Sequence, residues 1–111
     1  MTVRLSHLLA GAALALALSA QAAEPIKFGF LGPLTGQFAA NGQRFREAIE
    51  LFVEQTNAAG GIAGRELVVE MEDDRGDPLQ ATNIAQRFVA DEDMLAAIGS
   101  FTSTASIAAG Q

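Results

Sequence analysis

The sequence has no cysteine, and its single histidine, His7, lies inside a short apolar leader. The first absence excludes thiol catalysis, zinc thiolate sites and disulfides. The second leaves the rest of the chain without the commonest general base. Cations are scarce as well: 7 Lys and Arg stand against 13 Asp and Glu. That balance argues against nucleic acid and against an anionic membrane surface as partners. No phosphate loop is present. The turn Gly32-Pro33-Leu34-Thr35-Gly36 has neither the G-x-G-x-x-G spacing nor the Lys-Ser/Thr pair, and its proline removes an amide that a phosphate would need. A nucleotide is therefore not expected, and no other cofactor is expected either. A membrane-length run is also missing. The apolar stretch Leu8–Leu18 falls short of the roughly 20 residues that span a bilayer.

That stretch has another use. Arg4 and His7 precede it, and Ala20-Gln21-Ala22 follows with the small-x-small pattern that a signal peptidase reads. Residues 1–22 are expected to be a signal peptide, and residues 23–111 an exported segment that is not membrane-embedded. Removing the leader takes away only Arg4 among the charges, which leaves 6 basic residues against 13 acidic ones and a formal charge of −7. Without a disulfide, stability has to come from a core. A chain of this size buries only about 60% of its unfolded surface.

The exported segment alternates strand and helix patterns. Ile26–Leu31 reads as a buried strand that Gly32-Pro33 ends. A loop over Leu34–Gly42 leads to a helix from Gln43, whose apolar stripe is Phe45, Ala48, Ile49, Phe52, Val53 and Thr56. Gly60 and Gly61 offer the left-handed cap that closes it. Glu66–Glu72 is the second strand. Asp77-Pro78-Leu79-Gln80 starts the second helix: Asp caps, Pro takes the first position and Gln reaches back. Its stripe is Ala81, Ile84, Ala85, Phe88 and Val89. The helix ends on Asp91-Glu92-Asp93, an unexpected choice at the negative end of a dipole, with solvation its plain explanation. Met94–Ile98 is the third strand. A third helix begins after it and is still incomplete at Gln111. This order predicts an α/β fold, a parallel sheet with helices on both faces and right-handed crossovers. The third strand keeps an unpaired edge, an aggregation risk for the segment alone.

The chemistry gathers after that strand. Ala96–Ser106 reads AAIGSFTSTAS, and Ser100, Thr102, Ser103, Thr104 and Ser106 place hydroxyls around a helix start. A helix start adds free amides and a positive dipole end, which suits a carboxylate. In an open parallel sheet this is also where ligands bind. The plainer reading is a helix cap with incidental hydroxyls. The loop Thr35–Gly42 should lie at the same end of the sheet. Both loops are nearly uncharged, as suits a small zwitterion. Asp73-Asp74 could mark a metal or phosphorylation pocket, but a receiver domain wants its acidic pair after the first strand. Hydrogen bonding to neighbouring loop amides is the better expectation for this pair.

Three segments carry a resemblance: IKFGFLGPLTGQFAANGQ, EQTNAAGGIAGRELVVEMEDDRGDPLQA and AAIGSFTSTAS. In their order and spacing they resemble the N-terminal lobe of periplasmic amino-acid-binding proteins of the leucine/isoleucine/valine-binding type, which serve ABC transporters. The resemblance implies a type I periplasmic binding fold, a two-lobed clamshell that closes on an amino acid and has no catalytic activity. Residues 23–111 would be a truncated part of its first lobe. The implied partners are an amino-acid-like small molecule and an ABC transporter permease, and the implied full-length protein is a periplasmic monomer. The carboxylate-binding hydroxyl falls at Ser103, with the Thr104 amide beside it and Thr102 adjacent. The aromatic that often touches the ligand falls at Asn41, a polar contact that suits an amide, urea-like or aromatic-acid ligand in place of the usual aliphatic one. The disulfide that some relatives carry would have its partners at Gly76 and Thr102, so it is absent here. A ligand-sensing clamshell of a periplasmic sensor or regulator is the alternative function. An enzyme of the doubly wound type ranks third, for want of a nucleophile and a base.

Overall fold

Strands and helices alternate through residues 23–111, the part of the chain that a computed structural model describes. They are β1 (Ile26–Gly32), α1 (Ala39–Ala58), β2 (Leu67–Asp73), α2 (Pro78–Ala90), β3 (Met94–Ile98) and α3 (Ser103–Ala109). The expected leader, residues 1–22, lies outside the described residues. The strands form one parallel sheet in the order β2-β1-β3. β1 pairs in register with β2 from Ile26–Leu67 to Gly32–Asp73, and with β3 from Phe28–Ala96 to Phe30–Ile98. The chain builds outward from β1 in both directions, so the loops leaving β1 and β3 part from one another. That divergence opens a crevice beyond the carboxyl ends of these two strands.

Successive side chains of a strand point to opposite faces. Gly29 and Leu31 therefore share one face of β1, and Phe28 and Phe30 the other. The Gly29 face lies against α2: a Cβ there would sit 2.5 Å from the Phe88 ring. Leu31 joins Ala81, Ile84, Phe88 and Ala105 in the buried core between the sheet, α2 and α3. Burial of Ile84 and Phe88 contributes about 1.5–3 kcal/mol each relative to exposure. α1 covers the opposite face over β2.

The second helix starts as its sequence predicts. Pro78 holds the first position, and the Asp77 carboxylate accepts from the Gln80 amide at 2.9 Å. The other half of the expected box is not formed: the Asp77 amide, which the Gln80 side chain would reach back to, donates to the Asp74 carbonyl at 2.8 Å. Asp77→Ala should cost about 1 kcal/mol, the worth of one such cap, and a urea denaturation midpoint measures it. The stripe is narrower than its spacing suggests. Ala81, Ile84 and Phe88 are buried, but Val89 is 87% exposed.

The first helix departs further from its sequence reading. It begins at Ala39, four residues before Gln43, so Asn41 and Gly42 lie in its opening turns. Phe38 takes the cap position without a side-chain hydrogen bond, and the Asn41 and Gly42 amides both donate to its carbonyl. No Ser, Thr or Asp announces this start. Gly42 is a point of close approach: a Cβ there would lie 2.1 Å from the Pro33 carbonyl oxygen. The expected stripe is only half right, because Ile49, Val53 and Thr56 are partly buried while Phe45, Ala48 and Phe52 are exposed.

The helix closes as expected on left-handed Gly60 and Gly61. The Asn57 side chain then bonds both the amide and the carbonyl of Leu67, at 2.8 Å each, and pins the start of β2. The acidic triplet after α2 also has a partner. Lys27 of β1 donates to Asp91 and lies 2.9 Å from Glu70. These two bonds, Asp91 first, hold the Lys27 ammonium well above its ordinary range. The Lys27 bond, helped by the Asp93 amide, lowers the Asp91 carboxyl. The third strand is the expected edge among the described residues, with Leu95 75% exposed.

Candidate ligand-binding site

The five hydroxyls after β3 divide into distinct roles. Ser106 turns inward: its hydroxyl donates to the Ser100 carbonyl at 2.9 Å and accepts from the Ser100 amide at 3.1 Å. This staple ties the loop Gly99–Thr102 to α3. Thr102 caps α3, its hydroxyl oxygen accepting from the Ala105 amide at 3.2 Å. Its carbonyl takes the Ser106 amide at 2.9 Å. The Ser100 hydroxyl is buried without a partner. Ser103 and Thr104 remain. Both are exposed, and among the described residues neither their hydroxyls nor their amides have a hydrogen-bond partner. The sequence marks the cluster but does not sort it, because the sorting depends on which hydroxyls face the helix.

Aromatic contacts bring the first loop to this place. The Phe101 ring lies 5.5 Å from that of Phe38 and 6.0 Å from that of Phe45. Asn41 sits three residues after Phe38 and four before Phe45, hence on the same helix face. The start of α1 carrying Asn41 is thus beside the loop that leads to Ser103 and Thr104. An open cleft of about 310 Å³ runs below, lined by Phe30, Phe45, Ile98, Gly99, Ser100 and Phe101. Ser103, Thr104 and Asn41 are not in its lining; Phe101 is the link between the cleft and the free donors. The aromatic trio is a feature sequence reading missed. Its only signal was a lone phenylalanine among the hydroxyls.

The loop after β2 closes the third side. The Asp73 carboxylate accepts from the amides of Leu34 (2.8 Å), Arg75 (3.0 Å) and Thr35 (3.2 Å), and from the Thr35 hydroxyl. Burial by itself would raise this carboxyl, but these hydrogen bonds, the Thr35 hydroxyl's foremost, outweigh it and hold it below its ordinary value. Asp74 is fully buried and accepts from the Gly76 amide at 2.7 Å. Bonding to loop amides, the better of the two expectations for this pair, is what the structure shows. Gly76 and Thr102 are neighbours, as the resemblance implies: a Cβ on Gly76 would lie 3.8 Å from the Thr102 methyl and 3.0 Å from the Phe38 ring. No group of three or more metal-ligating side chains occurs among the described residues.

The sequence pattern of the periplasmic binding protein family matches residues 25–111. The chain belongs to this family. It is 41% identical to a Leu/Ile/Val-binding protein homolog of Brucella abortus over 98% of its own length and 28% of that relative's. It is also 41% identical to the leucine-, isoleucine-, valine-, threonine- and alanine-binding protein of Pseudomonas aeruginosa, over 81% of this chain and 24% of that one. In structure it resembles a branched-chain amino acid transporter substrate-binding protein of Streptococcus pneumoniae, solved with isoleucine. There the TM-score is 0.73 and the identity 33%, over 77% of this chain and 24% of that one. This periplasmic binding protein chain therefore spans about a quarter of the length of the relatives it matches. Its β2-β1-β3 sheet is part of a type I periplasmic binding fold.

Proposed function

We propose that the chain is the first-lobe segment of an exported solute-binding protein, which captures an amino acid or a related small carboxylate and delivers it to an ABC transporter permease. In this reading residues 1–22 are its signal peptide. The Ser103 hydroxyl and the Thr104 amide hold the ligand carboxylate, Thr102 shapes the seat by capping α3, and Asn41 faces the ligand side chain. The observation that carries the reading is the pair of uncommitted residues, Ser103 and Thr104, at the diverging ends of β1 and β3. Every other hydroxyl of the cluster is buried or bonded to backbone. The binding specificities in the relatives' names support the ligand class.

Calorimetry on a two-lobed protein carrying residues 23–111 tests this. Leucine or isoleucine should bind saturably, one per protein. 3-Methylbutylamine, which is leucine without its carboxylate, should give no heat. Asn41→Tyr should shift preference toward the aliphatic amino acids. Equal binding of leucine and the amine, or no binding of any amino acid, amide-bearing and aromatic ones included, would overturn the assignment.

A further inference from the structure

We infer that Asp73 is a positioning residue of the ligand site, one that holds the start of α1 at a fixed distance from the Ser103–Thr104 seat. Asp73 ends β2 and pairs in register with Gly32. Its carboxylate reaches past that partner to the next two residues but one, Leu34 and Thr35, in the loop that leaves β1. One oxygen accepts three amides, those of Leu34, Thr35 and Arg75, and the other accepts the Thr35 hydroxyl. An ionised carboxylate offers about four lone-pair sites, and four donors meet them. All four of these bonds are made to groups of the protein itself, three of them crowded onto one oxygen, so the task they define lies inside the protein.

That task follows from what the gripped loop carries. Leu34 is held from both sides: its amide by Asp73, and its carbonyl by the Gln43 side chain at 2.8 Å. Three residues after Thr35 the chain reaches Phe38, which opens α1 without a side-chain cap. Leu51 and Phe52, further along α1, are more than half exposed. The position of the helix start therefore depends on the loop as well as on packing over β2, and Asp73 grips that loop together with the Gly32 carbonyl, which also accepts from the Leu34 amide at 2.9 Å. Phe38 and Phe45 then meet Phe101 from that start. The opposite side of the site, the seat on α3, is held separately by the Ser106 staple and the Thr102 cap. Removing Asp73 should widen the gap across the site while leaving the seat intact.

The inference rests on the reading of Ser103 and Thr104 as the carboxylate seat, and one set of variants separates the two. It is made in the two-lobed protein, with leucine and isoleucine as probes and circular dichroism as the check on folding. Asp73→Ala should weaken binding roughly tenfold, the size of a lost charge-assisted bond. Asp73→Asn should stay within about threefold of wild type, because its oxygen can keep the three amides and its amide can donate to the Thr35 hydroxyl. A role for the negative charge itself predicts that Asn is as poor as Ala. If Asp73→Ala does not fold, Thr35→Val removes one donor at constant shape and should weaken binding about threefold, with Thr35→Ser restoring it. Asp73→Asn as weak as Asp73→Ala, or equal affinities for wild type, Thr35→Val and Thr35→Ser, overturns the positioning role. Failure of Ser103→Ala to weaken binding overturns the seat instead.

Discussion

Gly99→Ala should destabilise the lobe by on the order of 3–5 kcal/mol, a backbone-strain term and an overpacking term of similar size acting together. Gly99 follows the last residue of β3 and has φ of +131°, a conformation side chains rarely adopt. A Cβ there would lie 1.9 Å from the Leu31 carbonyl oxygen and 3.1 Å from Leu31 Cγ. Neither group can retreat. Leu31 belongs to β1, the central strand, and its side chain is in the buried core with Ile84 and Phe88. The loop must move instead, and the loop carries Ser100 and Phe101 of the cleft wall. Gly110→Ala is the control. Its φ is not in the left-handed region and its nearest neighbour would be 3.5 Å away. That change should be neutral or stabilise by about 0.4–1 kcal/mol. Urea denaturation of the two variants in the two-lobed protein measures the difference, and equal midpoints would mean that the β1–β3 approach is loose.

Local patterns were legible in the sequence where a residue's neighbours along the chain decide its state. Asp77-Pro78 marks a cap because the carboxylate and the amide it satisfies are three residues apart. The order of strands and helices follows from periodicity in the same way. The start of α1 was hidden because Asn41 and Gly42 look like breakers, and Gly42 is required by Pro33, which lies across the loop. The Lys27–Asp91 pair joins positions 64 apart and leaves no local trace. The exposed Phe45 and Phe52 show the opposite failure: helical spacing promises a buried stripe, and burial depends on what packs against it. At the site, the hydroxyl cluster and the nearness of the first loop were readable. The assignment of Thr102 and Ser106 to backbone, and the grip of Asp73 on Leu34 and Thr35, are tertiary facts.

Ser103→Ala should weaken leucine or isoleucine binding roughly tenfold to a hundredfold, since a charge-assisted hydrogen bond contributes about 1.5–3 kcal/mol and each 1.4 kcal/mol is tenfold. The structure makes this a clean substitution. Ser103 is the first residue of α3, and its hydroxyl takes no part in the cap, which Thr102 supplies through Ala105. Alanine is also the best helix former. The fold should therefore be untouched, and any loss of affinity reports on the ligand. Thr104→Ala should change affinity less than about threefold, because the proposed contact is the amide, which alanine keeps. Thr102→Ala is the wrong probe: losing a cap costs about 1 kcal/mol, and weaker binding would then mix helix fraying with lost contact. Calorimetry on Ser103→Ala and Thr104→Ala, with circular dichroism alongside, separates the cases. Unchanged affinity for Ser103→Ala with the fold intact would reduce the hydroxyl cluster to a helix cap and move the carboxylate seat elsewhere in the lobe.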